Sequence, residues 1–140
     1  MPTDPVPTGY SGTPLPRKLG FKPGLRAVYV GAPDTFATLL GDLPDGVRVL
    51  ARPAAHLDLA VLFVCERRVL ERRLPNLQAK LAPAGMIWVA WPKRASKVAT
   101  DMTEDVVRDV ALPRGLVDVK VCAIDEMWSG LKLVIRRELR

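Results

Sequence analysis

The chain has 140 residues, of which 49% are hydrophobic, and this is enough to build one domain with a sizeable core. Its formal net charge is +6, from 21 basic and 15 acidic side chains, which raises the local attraction for phosphates, nucleic acid or acidic partners. The N-terminus has no basic segment followed by an apolar run, and no stretch is long and apolar enough to span a membrane. We therefore expect a cytoplasmic protein.

The beginning of the chain is rich in proline, which argues against a regular helix up to about residue 16. We predict an extended arm over residues 1–18, held down by Tyr10 and Leu15, and one domain over residues 19–140. A Gly/Pro turn then leads into a buried strand at residues 26–30, because this segment is β-branched and aromatic.

Alternating strands and helices are predicted next. Asp34 is expected to cap a short helix, and strands are expected over residues 47–50 and 57–64, the second of which is apolar enough to be central. Leucines at helical spacing predict a helix from residue 66 to 81. Pro75 within it predicts either a kink or two shorter helices.

The second half of the chain continues the alternation. Gly85 is expected to end the long helix before a strand over residues 86–91, and Asp101 or Thr103 to cap another helix that ends at Pro113–Gly115. Strands over 116–124 and 131–137, joined by a loop, predict an antiparallel hairpin. This order of elements indicates an α/β fold with helices on both faces of a mostly parallel sheet.

Polar residues follow several predicted strand ends, where ligands of such sheets bind. These residues, at the carboxyl ends of the predicted strands, are Gly31–Asp34, Cys65 with Glu66, and Trp91–Lys97. The best candidate site is the last of these, because its cations and hydroxyl precede a helix start, a combination that favours phosphate or carboxylate. The predicted ligand-binding residues are Lys93, Arg94, Ser96, Lys97, Arg52 and Asp101; the alternative is a solvated loop with Asp101 as an ordinary N-cap.

Other candidates are weaker. Cys65 and Cys122 each lie in an apolar run without nearby metal-ligating residues, so we expect reduced core cysteines and no metal site. The single histidine, His56, is expected to be a loop residue rather than a base. The hairpin loop also carries polar residues, for which turn formation is the alternative to ligand binding: Asp125, Glu126, Trp128, Ser129 and Lys132.

Residues 19–137 resemble the core of S-adenosylmethionine-dependent methyltransferases. The similarity rests on Phe21-Lys22-Pro23-Gly24 before the first strand, Leu57-Asp58-Leu59-Ala60 at the middle strand, the turn Leu81-Ala82-Pro83-Ala84-Gly85 and the terminal hairpin. The resemblance implies a Rossmann-like three-layer sandwich, shortened by about one strand and one helix.

The cofactor motifs of that family are where the sequence departs. The family's glycine-rich turn is here Val30-Gly31-Ala32-Pro33-Asp34, with one glycine and a proline that lacks an N–H. The second strand ends in Arg52, where the family has an acid for the ribose hydroxyls.

The chain also resembles, over nearly its whole length, a small family of bacterial proteins without an established activity. The shared segments are Tyr10–Gly20, the stretch from Trp91 to Asp101 that begins Trp-Pro-Lys, and Asp125–Lys132. This resemblance implies no reaction.

We therefore expect a methyltransferase-like domain that binds an anionic small molecule or an acidic partner, without catalysis and without a cofactor. The alternative is a minimal methyltransferase that holds S-adenosylmethionine (SAM) at Gly31–Asp34. Nucleic-acid binding through the arginine-rich helix is a third hypothesis, disfavoured by the interleaved Glu66 and Glu71. The sequence does not indicate an oligomeric state.

Overall fold

The computed structural model describes residues 12–140, which form a sheet with helices on both faces. The strands are β1 Arg26–Val30, β2 Arg48–Leu50, β3 Leu57–Phe63, β4 Leu81–Pro92, β5 Leu116–Ala123 and β6 Trp128–Ile135. The helices are α1 Leu15–Leu19, α2 Phe36–Leu40, α3 Arg67–Lys80 and α4 Glu104–Ala111. The predicted α/β class is confirmed.

The six strands lie in the order β2-β1-β3-β4-β6-β5. Parallel pairing joins β2, β1, β3 and β4, whereas β6 runs antiparallel to both β4 and β5, which confirms the C-terminal hairpin. The chain leaves β1 toward β2 and returns on the other side of β1 as β3. The strand order therefore reverses between β1 and β3, which is where open parallel sheets bind their ligands.

Two apolar layers enclose the sheet. On one face α3 and α4 pack against it, and their side chains Leu70, Leu74 and Val107 are fully buried. On the other face α1 and α2 contribute Leu19 and Phe36 to a second core. Burial of side chains of this size stabilises a fold by about 1.5–3 kcal/mol each, so these faces set the sheet's register.

Trp88 lies at the centre of the second face, as a mid-strand tryptophan is expected to. It is fully buried, and its indole N–H donates a 2.8 Å hydrogen bond to the carbonyl of Leu19 at the end of α1. A buried indole that lacked this acceptor would lose the hydrogen bond that it makes with water. The bond therefore fixes the short helix α1 on the sheet.

Of the two alternatives predicted for Pro75, a kink or two short helices, the second is wrong, because α3 is one continuous helix with the proline inside it. A proline there removes one backbone hydrogen bond and crowds the preceding turn. The buried leucines before and after it, Leu74 and Leu77, hold both halves of the helix on the same sheet. Tertiary packing thus outweighs the local cost.

Several boundaries differ from the prediction. The strand β4 begins at Leu81 instead of residue 86, because Leu81 pairs with Leu57 before a bulge. Gly85 lies in this bulge, where a β-carbon would come within 2.6 Å of the carbonyl oxygen of Leu57. The strand β6 begins at Trp128 instead of residue 131, since Trp128 pairs with Pro92 of β4.

The N-terminal segment has a helix where extended chain was expected. In α1, Pro16 occupies the first turn, where its missing N–H costs nothing, and Gly20 ends the helix in a left-handed conformation. Leu15 is buried, whereas Tyr10 lies outside the described residues. Within residues 12–140, no helix has the length and apolar character needed to cross a bilayer.

Candidate functional site

Gly31 directly follows β1 at the strand-order reversal, where open parallel sheets form a ligand-binding crevice. Gly31 has φ +71°, and a β-carbon there would lie 2.8 Å from the carbonyl oxygen of Phe63 at the end of β3. Side chains rarely adopt this φ, and the carbonyl leaves no space for one. Glycine is therefore required by the close approach of two strand ends.

The prediction that Asp34 caps α2 is wrong, because Thr35 takes the N-cap position of that helix.

A guanidinium from α3 reaches the same crevice. The added β-carbon of Gly31 would lie 3.4 Å from the Nη1 atom of Arg73, whose side chain is partly buried. Among residues 12–140 no hydrogen bond or ion pair engages Arg73, whereas Arg67 and Arg68 of the same helix pair with glutamates. Arg73 therefore presents unused N–H donors beside the end of β1. The sequence does not single out Arg73, since nothing in the helix pattern separates it from the neighbouring arginines.

The basic segment after β4 forms a short turn. The backbone N–H of Lys93 donates to the carbonyl of Met127 at 2.8 Å, and a 3₁₀ turn follows over Arg94–Ser96. The hydroxyl of Ser96 donates to the carbonyl of Lys93 at 2.6 Å and accepts from the N–H of Val98. Ser96 thus shapes the turn, and its hydroxyl is already engaged.

Three of the predicted cations share one cavity of about 480 Å³ at the carboxyl end of β4. Its volume is that of a small-molecule pocket. Lys93, Arg94 and Lys97 line it, and their side chains have no ion pair or hydrogen bond within the described part of the chain. The remaining lining residues are Trp91, Pro92, Val98, Thr100, Met102, Thr103, Glu104 and Ser129.

Asp101 is placed differently from the prediction. Its Oδ1 accepts a 2.7 Å hydrogen bond from the backbone N–H of Arg67, the first residue of α3. The N-cap of α4 is Thr103, which accepts from the N–H of Val106 at 3.1 Å. Asp101 therefore caps the helix that precedes it in the chain by more than thirty residues, and it is not among the residues that line the cavity.

Arg52 does not join the other predicted ligand residues. It follows β2, and β2 is three strands away from β4 in the sheet. At a spacing of about 4.8 Å between neighbouring strands, the two carboxyl ends are about 14 Å apart. The structure therefore separates an Arg52 site from the Lys93 cavity.

The remaining nucleophile and base candidates lack the surroundings that activate such groups. Burial, and secondly the charge of Glu66, raises the pKa of the Cys65 thiol, which disfavours a reactive thiolate. His56 is exposed and directly precedes β3, so it lies at the amino ends of the strands, opposite to the carboxyl ends that form the proposed site. Within residues 12–140, no three metal-ligating side chains lie together.

The hairpin residues are occupied by the turn itself. One carboxylate oxygen of Asp125 accepts 2.8 Å hydrogen bonds from the backbone N–H groups of Met127 and Trp128. Trp128 packs edge-to-face on Phe63 with ring centroids 5.0 Å apart, as expected of a side chain that covers apolar surface. These contacts fit the interpretation that the polar residues of the hairpin form the turn better than the interpretation that they bind a ligand.

Comparison with known proteins identifies the fold. No protein-family profile matches the chain, and no curated protein matches it. Several solved structures, in contrast, match its fold. A putative type 11 methyltransferase from Sulfolobus solfataricus has a TM-score of 0.61 at 13% identity, with 87% of this chain and 89% of that chain covered. A SAM-dependent methyltransferase from Aquifex aeolicus has 0.56 at 15% identity, covering 85% and 87%.

The expectation of a domain without a cofactor is corrected by these comparisons. The match from Aquifex aeolicus is a SAM-dependent methyltransferase, and one further match is the complex of LepI with SAM, with a TM-score of 0.57 at 11% identity. That match covers 96% of this chain and 50% of LepI. The Rossmann-like methyltransferase fold is confirmed, whereas the small bacterial family finds no support in sequence.

Proposed function

We propose that the protein is a minimal methyltransferase that binds SAM in the crevice between the carboxyl ends of β1 and β3. The observation that carries the proposal is the position of Gly31, packed on the Phe63 carbonyl where the strand order reverses in a methyltransferase fold. The competing hypothesis of a non-catalytic anion-binding module has no support from the structural matches.

The residues at Gly31 fit the amino-acid end of the cofactor. This end carries a carboxylate, and Arg73 offers a planar guanidinium without a partner among the described residues at the same place. Guanidinium groups bind carboxylates through two parallel hydrogen bonds, which fix orientation as well as charge. We assign Arg73 to the cofactor carboxylate and Gly31 to the backbone turn that gives access to it.

The ribose end is bound by a different side chain than the family's usual acid. Arg52 stands where that acid would follow the second strand, and Pro33 removes one N–H from the first loop. Asp34 lies in the same loop, is exposed and has no hydrogen bond or ion pair within residues 12–140. It is the carboxylate that we assign to the ribose hydroxyls.

When bound, such a cofactor supplies an electrophilic methyl group carried on a sulfonium sulfur. The chain's own part is to position an acceptor near the end of β3 and to exclude water there. Apolar side chains of the two neighbouring strands, Phe63 and Trp91, are nearly fully buried at these strand ends. Positioning of this kind can contribute a large share of a rate enhancement.

Isothermal titration calorimetry with S-adenosylhomocysteine tests the proposal. We expect one site in the wild-type protein and about tenfold weaker binding in Arg73→Gln, the loss that follows from one charge-assisted contact. Arg72→Gln is the matched control, because Arg72 lies on the same helix and is exposed. Methylthioadenosine lacks the carboxylate, and Arg73→Gln should bind it as the wild type does.

Two results would contradict the proposal. A wild-type protein that takes up neither S-adenosylhomocysteine nor SAM removes the cofactor site. Binding that Arg73→Gln and Asp34→Asn both leave unchanged would place the cofactor elsewhere. Gly31→Ala adds a third measurement, since its β-carbon would displace the Phe63 carbonyl and should abolish binding; its fold is checked by circular dichroism.

A further inference from the structure

The cavity lined by Lys93, Arg94 and Lys97 lies at the carboxyl end of β4, the strand next to β3 of the proposed cofactor crevice. Its apolar part is formed by Trp91 and Met102, which are both nearly buried. Lys93, Arg94 and Lys97 surround the polar part. The cavity thus combines an apolar wall with three cations, the arrangement of a site for a small molecule with an anionic group.

The charges of this cavity are not balanced by the protein. Its one acid, Glu104, is bound by Arg108 from the next turn of α4. None of the three cations has a carboxylate partner in the described part of the chain. Like charges in one cavity repel each other, and an anion that entered would remove this repulsion.

The backbone at Lys97 supports the same conclusion. Lys97 has φ +61°, a left-handed conformation that costs a side-chain-bearing residue about 1–2 kcal/mol. Hydrogen bonds hold it there, from its own N–H to the Arg94 carbonyl at 3.1 Å and from the N–H of Val98 to Ser96. Strained residues that the surrounding structure maintains cluster at binding sites.

The cavity is also connected to the end of β3. Thr100 lines the cavity, and its hydroxyl donates a 2.5 Å hydrogen bond to the carbonyl of Cys65, two residues beyond β3. The strands β4 and β3 are neighbours, so the cavity lies about one strand spacing, about 5 Å, from the end of β3. A molecule in the cavity would therefore be adjacent to the end of β3, which forms one side of the proposed cofactor crevice.

We infer that this cavity binds the methyl acceptor, and that the acceptor is a small molecule with an apolar or ring portion and a phosphate or carboxylate. The apolar portion contacts Trp91 and Met102, and the anionic group lies between Lys93 and Lys97. The role as acceptor site rests on the proposed function, whereas the anion site itself can be measured without it. A single-stranded nucleic acid is disfavoured as occupant, because the nearby arginines Arg67 and Arg68 are paired with glutamates.

Calorimetry with phenyl phosphate and benzoate as anionic probes, and benzyl alcohol as the uncharged probe, tests the inference. We expect both anions to bind the wild-type protein, with benzyl alcohol about tenfold weaker or worse. The double variant Lys93→Gln/Lys97→Gln should lose about tenfold in affinity for the anions. Arg136→Gln/Arg137→Gln is the matched control, because it removes the same charge from an exposed segment after β6 and should bind as the wild type does.

The outcomes separate this inference from the proposed function. S-adenosylhomocysteine should bind the Lys93→Gln/Lys97→Gln variant as it binds the wild type, so loss of anion binding alone supports a separate subsite. Absence of anion binding in the wild type, or an equal loss in both double variants, would overturn the inference and leave the cofactor site intact. Tighter, steeply salt-dependent binding of a single-stranded oligonucleotide would also overturn it.

Discussion

The hydroxyl of Thr100 donates a 2.5 Å hydrogen bond to the carbonyl oxygen of Cys65 and accepts one of 3.0 Å from the backbone N–H of Met102. Two residues that are far apart in sequence thereby join the loop after β4 to the end of β3. Asp101 reinforces the connection, since it accepts from the first N–H of α3. Hydrogen bonds therefore hold together the segments that lie between the proposed cofactor crevice and the cavity lined by Lys93, Arg94 and Lys97.

Replacement of Thr100 by valine should break this connection. The change keeps the shape of the side chain and leaves the Cys65 carbonyl and the Met102 N–H without their partner. We expect a loss of about 1–3 kcal/mol in the free energy of unfolding, measured by urea denaturation. Thr100→Ser retains the hydroxyl and is expected to lose less. Equal stability of Thr100→Val and the wild type would show that the bond contributes nothing.

Asp101 should behave as a helix cap and not as a ligand. Asp101→Ala is expected to cost about 1 kcal/mol, while Asp101→Asn keeps an acceptor oxygen and should cost less. Hydrogen exchange measured by mass spectrometry should show faster opening of the first turn of α3 in the alanine variant. Phenyl phosphate affinity per folded molecule should stay unchanged in Asp101→Asn. A loss of anion affinity in that variant would return Asp101 to the binding site.

Asp118 gives the protein a predictable dependence on pH. A hydrogen bond from Arg108, 2.9 Å long, lowers the pKa of the Asp118 carboxyl and joins α4 to β5. A folded-state pKa below the unfolded value of about 3.9 means that this stabilisation is complete above that pH and is lost as the pH falls through the folded pKa. Asp118→Asn should therefore lower the midpoint of thermal unfolding at neutral pH, with a smaller difference from the wild type in acid.

The matched control for this pH dependence is Asp105→Asn. Asp105 pairs with the same arginine at 3.2 Å, but its side chain is 90% exposed, so solvent screens the interaction. We expect a smaller effect on the unfolding midpoint across the same pH series. If both variants changed the midpoint equally at every pH, the Arg108–Asp118 bond would not be the source of the dependence.

Local sequence patterns determine most of the fold but little of the site. Apolar periodicity and turn residues locate the strands and helices because these signals lie within ten or so neighbouring residues. The contacts that define the site join distant segments. Gly31 meets Phe63 and Arg73, and Asp101 caps a helix that begins at Arg67. The residues of such a pair are more than thirty positions apart, and no periodic pattern in a single sequence indicates that they are in contact. Pro75 failed as a helix breaker for the same reason, since its cost is offset by sheet contacts that only the folded chain makes.

Tyr29 on β1 has a buried hydroxyl without a hydrogen-bond partner among residues 12–140. Burial raises the pKa of this phenol to about 12. Its ring packs edge-to-face on Phe36, with centroids 4.9 Å apart. The ring therefore stabilises the core, while the hydroxyl is removed from water without compensation. We expect Tyr29→Phe to increase the free energy of unfolding by about 1 kcal/mol.

Tyr29→Leu separates the two contributions, because it removes the ring together with the hydroxyl. This variant should be less stable than the wild type by about 1–3 kcal/mol, since it forfeits the aromatic contacts and leaves space in the core. Because the folded-state pKa of Tyr29 lies above its unfolded value, the wild type should also lose stability relative to Tyr29→Phe as the pH rises from about 10 to 12. A phenylalanine variant less stable than the wild type would mean that the hydroxyl has a partner. A phenolate absorbance titrating near pH 10 in a Tyr10→Phe background, where Tyr29 is the one tyrosine left, would mean that the hydroxyl is exposed to water.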